Sequence, residues 1–207
     1  MSHKLKKKAS YKFYRGAFHL TRAFFGLFCW LDIRGQDKIP KGAAMVCSNH
    51  SSLTDPLFVA FAFGVNCFLH FIAKIELFKI PVLSCIVVKL GAISVDRDMQ
   101  DIETIKQTLS HFKKGEKVAI FPEGTRATHY NQIEPKSGAV KIAERAGVPI
   151  VPIFVPRRKK IFQKLTLIIG EPYQVERLSG RRSAEEYQLL ANDLMSRIES
   201  LNPEAAC

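Results

Sequence analysis

The spacing of hydrophobic positions changes near Gly35. Before it, Lys12, Arg15, His19, Arg22 and Gly26 fall on one narrow stripe at helical spacing. Phe13, Ala17, Phe18, Leu20, Phe24, Phe25, Leu27, Phe28 and Leu31 cover the rest of the surface. This pattern predicts a basic helix with a wide aromatic face. Arg15, His19 and Arg22 break the apolar run, which falls short of the ~20 residues that span a bilayer. They also set it apart from the uninterrupted apolar region of a secretory signal. Lys4, Lys6, Lys7 and Lys8 precede the helix. Lysines ahead of an aromatic helix suit a membrane interface, with the polar stripe toward the head groups and the Phe side chains among the upper acyl chains. The competing reading packs the same helix on the protein's own core.

Beyond Gly35, short apolar runs alternate with helical patterns, as in an α/β domain. Strands are predicted over residues 43–48, 67–73, 92–95, 117–121, 149–155 and 165–169. Asp98 or Asp101 can cap a helix whose apolar stripe is Ile102, Ile105, Leu109 and Phe112, with Gly115 ending it. A second helix over 137–146 closes on Gly147, with Pro149 beyond. Ser183 and Glu186 form a capping box ahead of Tyr187, Leu190, Leu194, Ile198 and Leu201. A chain of 207 residues with 47% hydrophobic content holds one well-buried core. The expected division is therefore a membrane-interface segment, 1–34, and one catalytic domain, 35–207.

Charge narrows the choice of partner. The chain has 31 basic and 19 acidic residues, a formal net charge of +12. Such an excess favours phospholipid head groups, nucleic acid or a phosphorylated substrate. The five cysteines form no C-x-x-C pair and have no histidine at metal-ligand spacing, so neither a disulfide framework nor a zinc motif is indicated. Buried, reduced thiols fit a cytoplasmic setting.

Polar residues that do not fit the scaffold cluster after predicted strands, where α/β sheets build their sites. The first cluster is Asn49-His50-Ser51-Ser52-Leu53-Thr54-Asp55-Pro56. Pro56 suits the first turn of a helix capped by Thr54 or Asp55. If the loop turns back, Asp55 accepts from the His50 Nδ1–H and leaves Nε2 free as a base. A thioester is already activated, so an alcohol deprotonated by that base can attack it directly. The bland alternative is a loop whose His and Asp simply satisfy each other.

The second cluster is Phe121-Pro122-Glu123-Gly124-Thr125-Arg126. Arg126 could grip phosphate oxygens and Glu123 could contact hydroxyls, or the two could pair across a turn. The third, Gly91-Ala92-Ile93-Ser94-Val95-Asp96-Arg97, brings Arg97 to the same rim. The fourth, Val148-Pro149-Ile150-Val151-Pro152-Ile153, carries no ionisable group and reads as a pocket wall or core.

Taken together and in this order, the four clusters resemble the lysophosphatidic acid acyltransferases, or 1-acyl-sn-glycerol-3-phosphate O-acyltransferases. The resemblance extends from about Gly35 to about Gly170. It implies a single α/β domain with a central mixed, mostly parallel sheet flanked by helices, in a compact bacterial form with an interfacial N-terminal helix pair. It further implies acyl transfer from acyl-CoA or acyl carrier protein to the hydroxyl of a lysophospholipid, most often 1-acylglycerol-3-phosphate, giving phosphatidic acid. By resemblance His50 is the base and Asp55 its orienting partner. Glu123, Gly124, Thr125 and Arg126 would bind the acceptor, Arg97 its phosphate, and Lys74 would be a further phosphate-side cation. Family members often have a Phe-Lys-rich stretch where this chain has Glu134-Pro135-Lys136-Ser137-Gly138-Ala139, so no phosphate role is carried to Lys136. The expected setting is the cytoplasmic face of the inner membrane, on an anionic surface. No cofactor, metal or nucleic acid is expected.

Other readings use the same residues. Other acceptors, such as lyso-ornithine lipid, are compatible with the motifs. A serine hydrolase could use Ser51 or Ser52, but there is no G-x-S-x-G elbow. A non-catalytic nucleic-acid or membrane module would rest on the charge, including Arg157, Arg158, Lys159 and Lys160. That run has no interleaved aromatics and no accompanying nucleic-acid motif. Its simplest reading is a solvated loop.

Overall fold

The computed structural model describes residues 9–96, 101–129, 132–178 and 180–203. Its centre is a seven-stranded sheet. In chain order the strands are β1 (Cys29–Arg34), β2 (Ala44–Ser48), β3 (Leu69–Lys74), β4 (Ile93–Val95), β5 (Lys117–Ile120), β6 (Ile150–Phe154) and β7 (Gln163–Ile169). The spatial order is β1-β7-β6-β2-β5-β3-β4. β6, β2, β5, β3 and β4 run parallel, β7 is antiparallel to β6, and β1 is parallel to β7. The described helices are α1 (Tyr11–Gly26), α2 (Asp55–Phe63), α3 (Leu83–Lys89), α4 (Ile102–Lys113), α5 (Gly138–Ala146) and α6 (Ala184–Ser200).

Alternation along β2 divides the core. Met45 and Cys47 point into one layer with Phe112, Val140, Leu194 and Ile198 from α4, α5 and α6. Ala44 and Val46 point into the other, against Phe58 and Phe61 of α2 with Phe18 and Phe25 of α1. β2 and β6 are buried at every position, as parallel strands covered on both faces must be. The ends signalled in the sequence also hold helices here. Asp101 accepts from the Thr104 amide at 3.0 Å, and Ser183 and Glu186 make both bonds of the capping box.

Six strands form where the hydrophobic runs place them, with ends moved by no more than two residues. β1 is the exception. Residues 29–34 lie inside the segment assigned to interfacial helices, yet they pair in parallel with β7, from Cys29 opposite Gln163 to Arg34 opposite Ile168. The helical stripe could not show this, because its apolar positions run on through Leu31. The chain then turns at Gly35 with φ +77°, where a Cβ would lie 2.2 Å from the Ile169 carbonyl oxygen. Only glycine fits that approach.

α1 divides its aromatic surface. Tyr14, Phe18 and Phe25 dock on the core, with rings 4.5 Å from Phe68, 5.4 Å from Phe61 and 5.2 Å from Phe58 respectively. Leu20, Phe24 and Leu27 remain exposed. The core-packing and outward-facing readings thus each describe one side of the same helix. Among the described residues no helix is long and apolar enough to cross a membrane.

Candidate active site

Because β6, β2, β5, β3 and β4 are parallel, their C-terminal ends open on one edge of the sheet. The loops after β2, β5 and β6 leave adjacent strands and meet there. The loop after β2 turns back at Ser52, whose carbonyl accepts from the Asp55 amide at 3.2 Å. That turn brings the Asp55 Oδ2 to 2.9 Å from the His50 Nδ1. The same oxygen accepts from the Ser51 and Ser52 amides at 2.6 and 2.7 Å. Asp55 also begins α2, so the helix dipole favours its charge.

The environment keeps Asp55 ionised although it is 1% exposed. Burial alone would raise its pKa. The His50 hydrogen bond, the Lys159 ammonium and the Ser52 amide outweigh burial and hold it below the ordinary carboxylate value. Lys159 Nζ lies 2.6 Å from the second oxygen, Oδ1. An acceptor-only carboxylate facing the His50 Nδ1 makes that nitrogen the donor, which leaves the Nε2 lone pair available. The His50 ring is further held by stacking on Phe121, with centroids 4.1 Å apart.

A second carboxylate fixes the backbone under His50. Glu123 is 3% exposed, and its Oε2 accepts from the His50 amide while its Oε1 meets Arg157 at 2.9 Å. Burial raises the pKa of Glu123, with the Arg157 charge opposing it. Arg157 also donates to the Ala127 carbonyl at 2.8 Å and pairs with Glu199 of α6. The Ala127 amide in turn donates to the His50 carbonyl at 2.8 Å. Asn49, buried completely, exchanges two hydrogen bonds with the backbone of Val155, at 2.7 and 2.9 Å. This side chain clamps the loops after β2 and β6.

The residues singled out in the sequence are not all used alike. His50, Asp55 and Glu123 converge. Glu123, expected at the acceptor's hydroxyls, has both oxygens on the protein's own groups. Thr125 and Arg126 are exposed on the adjoining rim. Gly124 has φ +68° and packs against the Lys136 stem, 3.3 Å from where its Cβ would lie. Lys74 pairs with Glu76 at 3.1 Å, both half-exposed. Lys74 ends β3, two strands from β2, or about 10 Å across the sheet. Arg97 lies outside the described residues.

Arg157 and Lys159 were hidden in what reads as a solvated basic run. In the structure Arg157 and Lys159 turn inward while Arg158 and Lys160 are exposed, a difference that four consecutive basic residues do not signal in sequence. Arg157→Ala is expected to leave Glu123 and Glu199 buried without their shared cation. Loss of one partner from such a network costs about 3–5 kcal/mol, or a fall in Tm of about 10 °C at this chain length. A calorimetric melt of the purified variant checks this, and an unchanged Tm counts against the network.

The neighbouring serines are otherwise engaged. Ser51 Oγ donates to the Arg157 carbonyl and accepts from Lys159, both at 3.1 Å, and Ser52 Oγ lies 3.0 Å from Thr54 Oγ1. Neither hydroxyl is bonded to the His50 ring, the contact that a serine nucleophile needs with its base.

This sheet, with a His–Asp pair at its C-terminal edge, has counterparts of known class. A family model described as acyltransferase matches residues 31–156, more than half of the chain, and the chain belongs to that family. Among curated relatives, the 1-acyl-sn-glycerol-3-phosphate acyltransferase of Bacillus subtilis is 34% identical over 138 residues, covering 64% of this chain and 68% of that protein. A probable 1-acyl-sn-glycerol-3-phosphate acyltransferase of Mycoplasma pneumoniae is 38% identical over 156 residues, covering 68% of this chain and 56% of its own length. The crystal structure of the 1-acyl-sn-glycerophosphate acyltransferase of Thermotoga maritima superposes with a TM-score of 0.67 at 27% identity, covering 93% of this chain and 80% of that one.

Proposed function

We propose that this acyltransferase moves a fatty acyl group from acyl-CoA or acyl carrier protein to the free hydroxyl of 1-acylglycerol-3-phosphate, yielding phosphatidic acid. The observation that carries the mechanism is the 2.9 Å contact between Asp55 and the His50 Nδ1, which leaves Nε2 as the basic atom. The acceptor hydroxyl gives its proton to Nε2 as its oxygen attacks the thioester carbonyl. The tetrahedral intermediate then collapses, and the departing thiolate takes the proton back. Asp55 stabilises the transient imidazolium and Lys159 balances Asp55. Glu123 is a positioning residue that holds the His50 backbone. Arg126, Thr125 and Gly124 form the rim for the acceptor's head group, with Lys74 further along the same edge, and Arg97 is assigned to the acceptor's phosphate by the family resemblance alone. The names of the relatives support a phosphate-bearing acceptor.

Two clefts flank this arrangement and suit lipid chains. One, about 470 Å³, lies between the end of α1 and the active loop, with Phe25, Phe28, Phe58, Thr54 and Lys159 in its wall. The other, about 270 Å³, lies behind Phe121 and is lined by Ile72, Ile105, Ile120 and Ile142. A matrix of acyl donors against lysolipid acceptors, with products identified by mass, tests the assignment. Phosphatidic acid is expected as the fastest-forming product. A higher kcat/KM with lyso-ornithine lipid would overturn the choice of acceptor.

Access to such substrates fits peripheral attachment to an anionic membrane. Leu20, Phe24, Leu27, Trp30, Ile161 and Phe162 are all exposed. The Phe162 amide donates to the Phe28 carbonyl at 2.6 Å, joining the end of α1 to the Ile161–Phe162 turn beside the first cleft. Phe162 itself has φ +60°, a conformation that costs a bulky residue about 1–3 kcal/mol. Placing Asp at both Leu27 and Phe162 is expected to weaken binding to anionic vesicles at least ~10-fold, since each apolar side chain is worth about 1.5–3 kcal/mol when buried. Vesicle sedimentation checks this, and unchanged binding removes the patch from the membrane contact. Deleting residues 1–34 would be a poorer test, because it also removes β1.

A further inference from the structure

At the opposite edge of the sheet from His50, three side chains too widely spaced in sequence to form a ligand motif come together. His70 is the second residue of β3, His111 lies in the last turn of α4, and Glu116 immediately precedes β5. One ligand-capable atom from each falls within 4.8 Å of the others. Glu116 Oε2 is 2.6 Å from the His111 Nδ1 and 3.4 Å from the His70 Nε2. The two imidazole rings lie close together, centroids 3.7 Å apart and planes tilted by 30°.

His70 is the informative member. It is 3% exposed, and its Nδ1 donates to the Gly91 carbonyl at 2.8 Å. That bond fixes the tautomer and leaves the lone pair on Nε2. The same Nε2 is buried and has no hydrogen-bond partner. A buried acceptor without a donor weakens a fold unless something else occupies it. Gly91 allows the approach: at φ +74°, a Cβ there would lie 2.9 Å from the His70 Nδ1.

We propose that His70, His111 and Glu116 bind a first-row divalent cation of the zinc class. An imidazole that offers one nitrogen inward while the other donates to a backbone carbonyl has the outer-shell support of metal-ligating histidines. Two imidazoles and a carboxylate suit zinc rather than magnesium or calcium, which prefer all-oxygen ligands. Tetrahedral ligands about 2.0–2.1 Å from zinc stand roughly 3.3 Å apart, close to the 3.4 Å between His70 and Glu116. The shorter His111–Glu116 contact, 2.6 Å, needs to open by less than an ångström for the His111 Nδ1 and the carboxylate to share an ion. A cleft of about 490 Å³ leads to the cluster past Tyr11, Gln107 and Lys114, giving the ion a route and water the fourth position.

The location assigns this ion a structural role. It would tie β3, the end of α4 and the start of β5 together, with the corner before β4 attached through Gly91. The beginning of α1 rests on the same corner, where the Ser10 amide donates to the Lys89 carbonyl at 3.0 Å.

Titration calorimetry and thermal melts of the full chain with zinc chloride test the proposal. One zinc per chain is expected, with Tm raised by about 5–10 °C at a hundredfold excess over Kd. His111→Ala and Glu116→Gln, both at partly exposed positions, are each expected to weaken binding at least ~10-fold, whereas His50→Ala binds zinc as the wild type does. Magnesium is expected to give no shift. Absence of stoichiometric zinc binding, equal affinity in both cluster variants, or loss of binding in His50→Ala would overturn the site.

Discussion

Alanine at position 50 is expected to slow acyl transfer by about 10²–10⁴-fold, the range for removing a positioned general base. The loss should fall on kcat, because in the proposed mechanism the Nε2 lone pair acts on the acceptor proton only as the carbon–oxygen bond forms. Fold stability should change little. His50 is part-buried at the end of β2, and the backbone bonds that hold its loop, from its amide to Glu123 and from the Ala127 amide to its carbonyl, do not use the ring. Steady-state kinetics with a melt of the same preparation separates the two effects. Turnover near the wild-type value would remove His50 from the chemistry.

Asp55→Asn is expected to cost a comparable factor, for a reason visible in the contacts. Every group facing the carboxylate is a donor: the His50 Nδ1, the Ser51 and Ser52 amides on Oδ2, and Lys159 on Oδ1. An amide must turn its NH₂ toward one set or the other. Facing His50, it forces the tautomer that consumes the base; facing Lys159, it leaves a buried ammonium unpaired. A fall of about 10²–10⁴ in kcat is expected, together with a lower Tm. The pH dependence has a defined sign. The folded pKa of Asp55 lies below its ordinary value of 3.8, so its contribution to stability is complete at neutral pH. That contribution is lost as pH falls below the ordinary range through the lowered value. The variant should therefore show a flatter acid limb in an unfolding series than the wild type, and parallel limbs would contradict the ion-pair geometry.

Much of the fold could be read from periodicity, because buried parallel strands leave compact apolar runs between well-capped helices. β1 could not, since Cys29–Arg34 continues the apolar spacing of the helix before it and only pairing with β7 distinguishes the two. The His50–Asp55 pair was legible because both partners sit in one short loop. The rest of the site depends on neighbours in space. Glu123 carries the look of a substrate ligand in sequence, but it is turned inward by Arg157, which arrives from the loop after β6. Lys159 is hidden among four consecutive basic residues, and only the folded loop after β6 shows which of them turn inward. His70, His111 and Glu116 meet only because β3 and β5 are adjacent and α4 packs beside them.

Single-step transfer by direct attack can be read from one set of mass spectra. The purified chain is incubated with acyl-CoA or acyl carrier protein alone, then with 1-acylglycerol-3-phosphate added, and protein and lipid are weighed at each stage. The expected result is an unmodified chain with the donor alone, and phosphatidic acid appearing only once the acceptor is present. A stable acyl adduct on Ser51 or Ser52, or free fatty acid without phosphatidic acid, would contradict it.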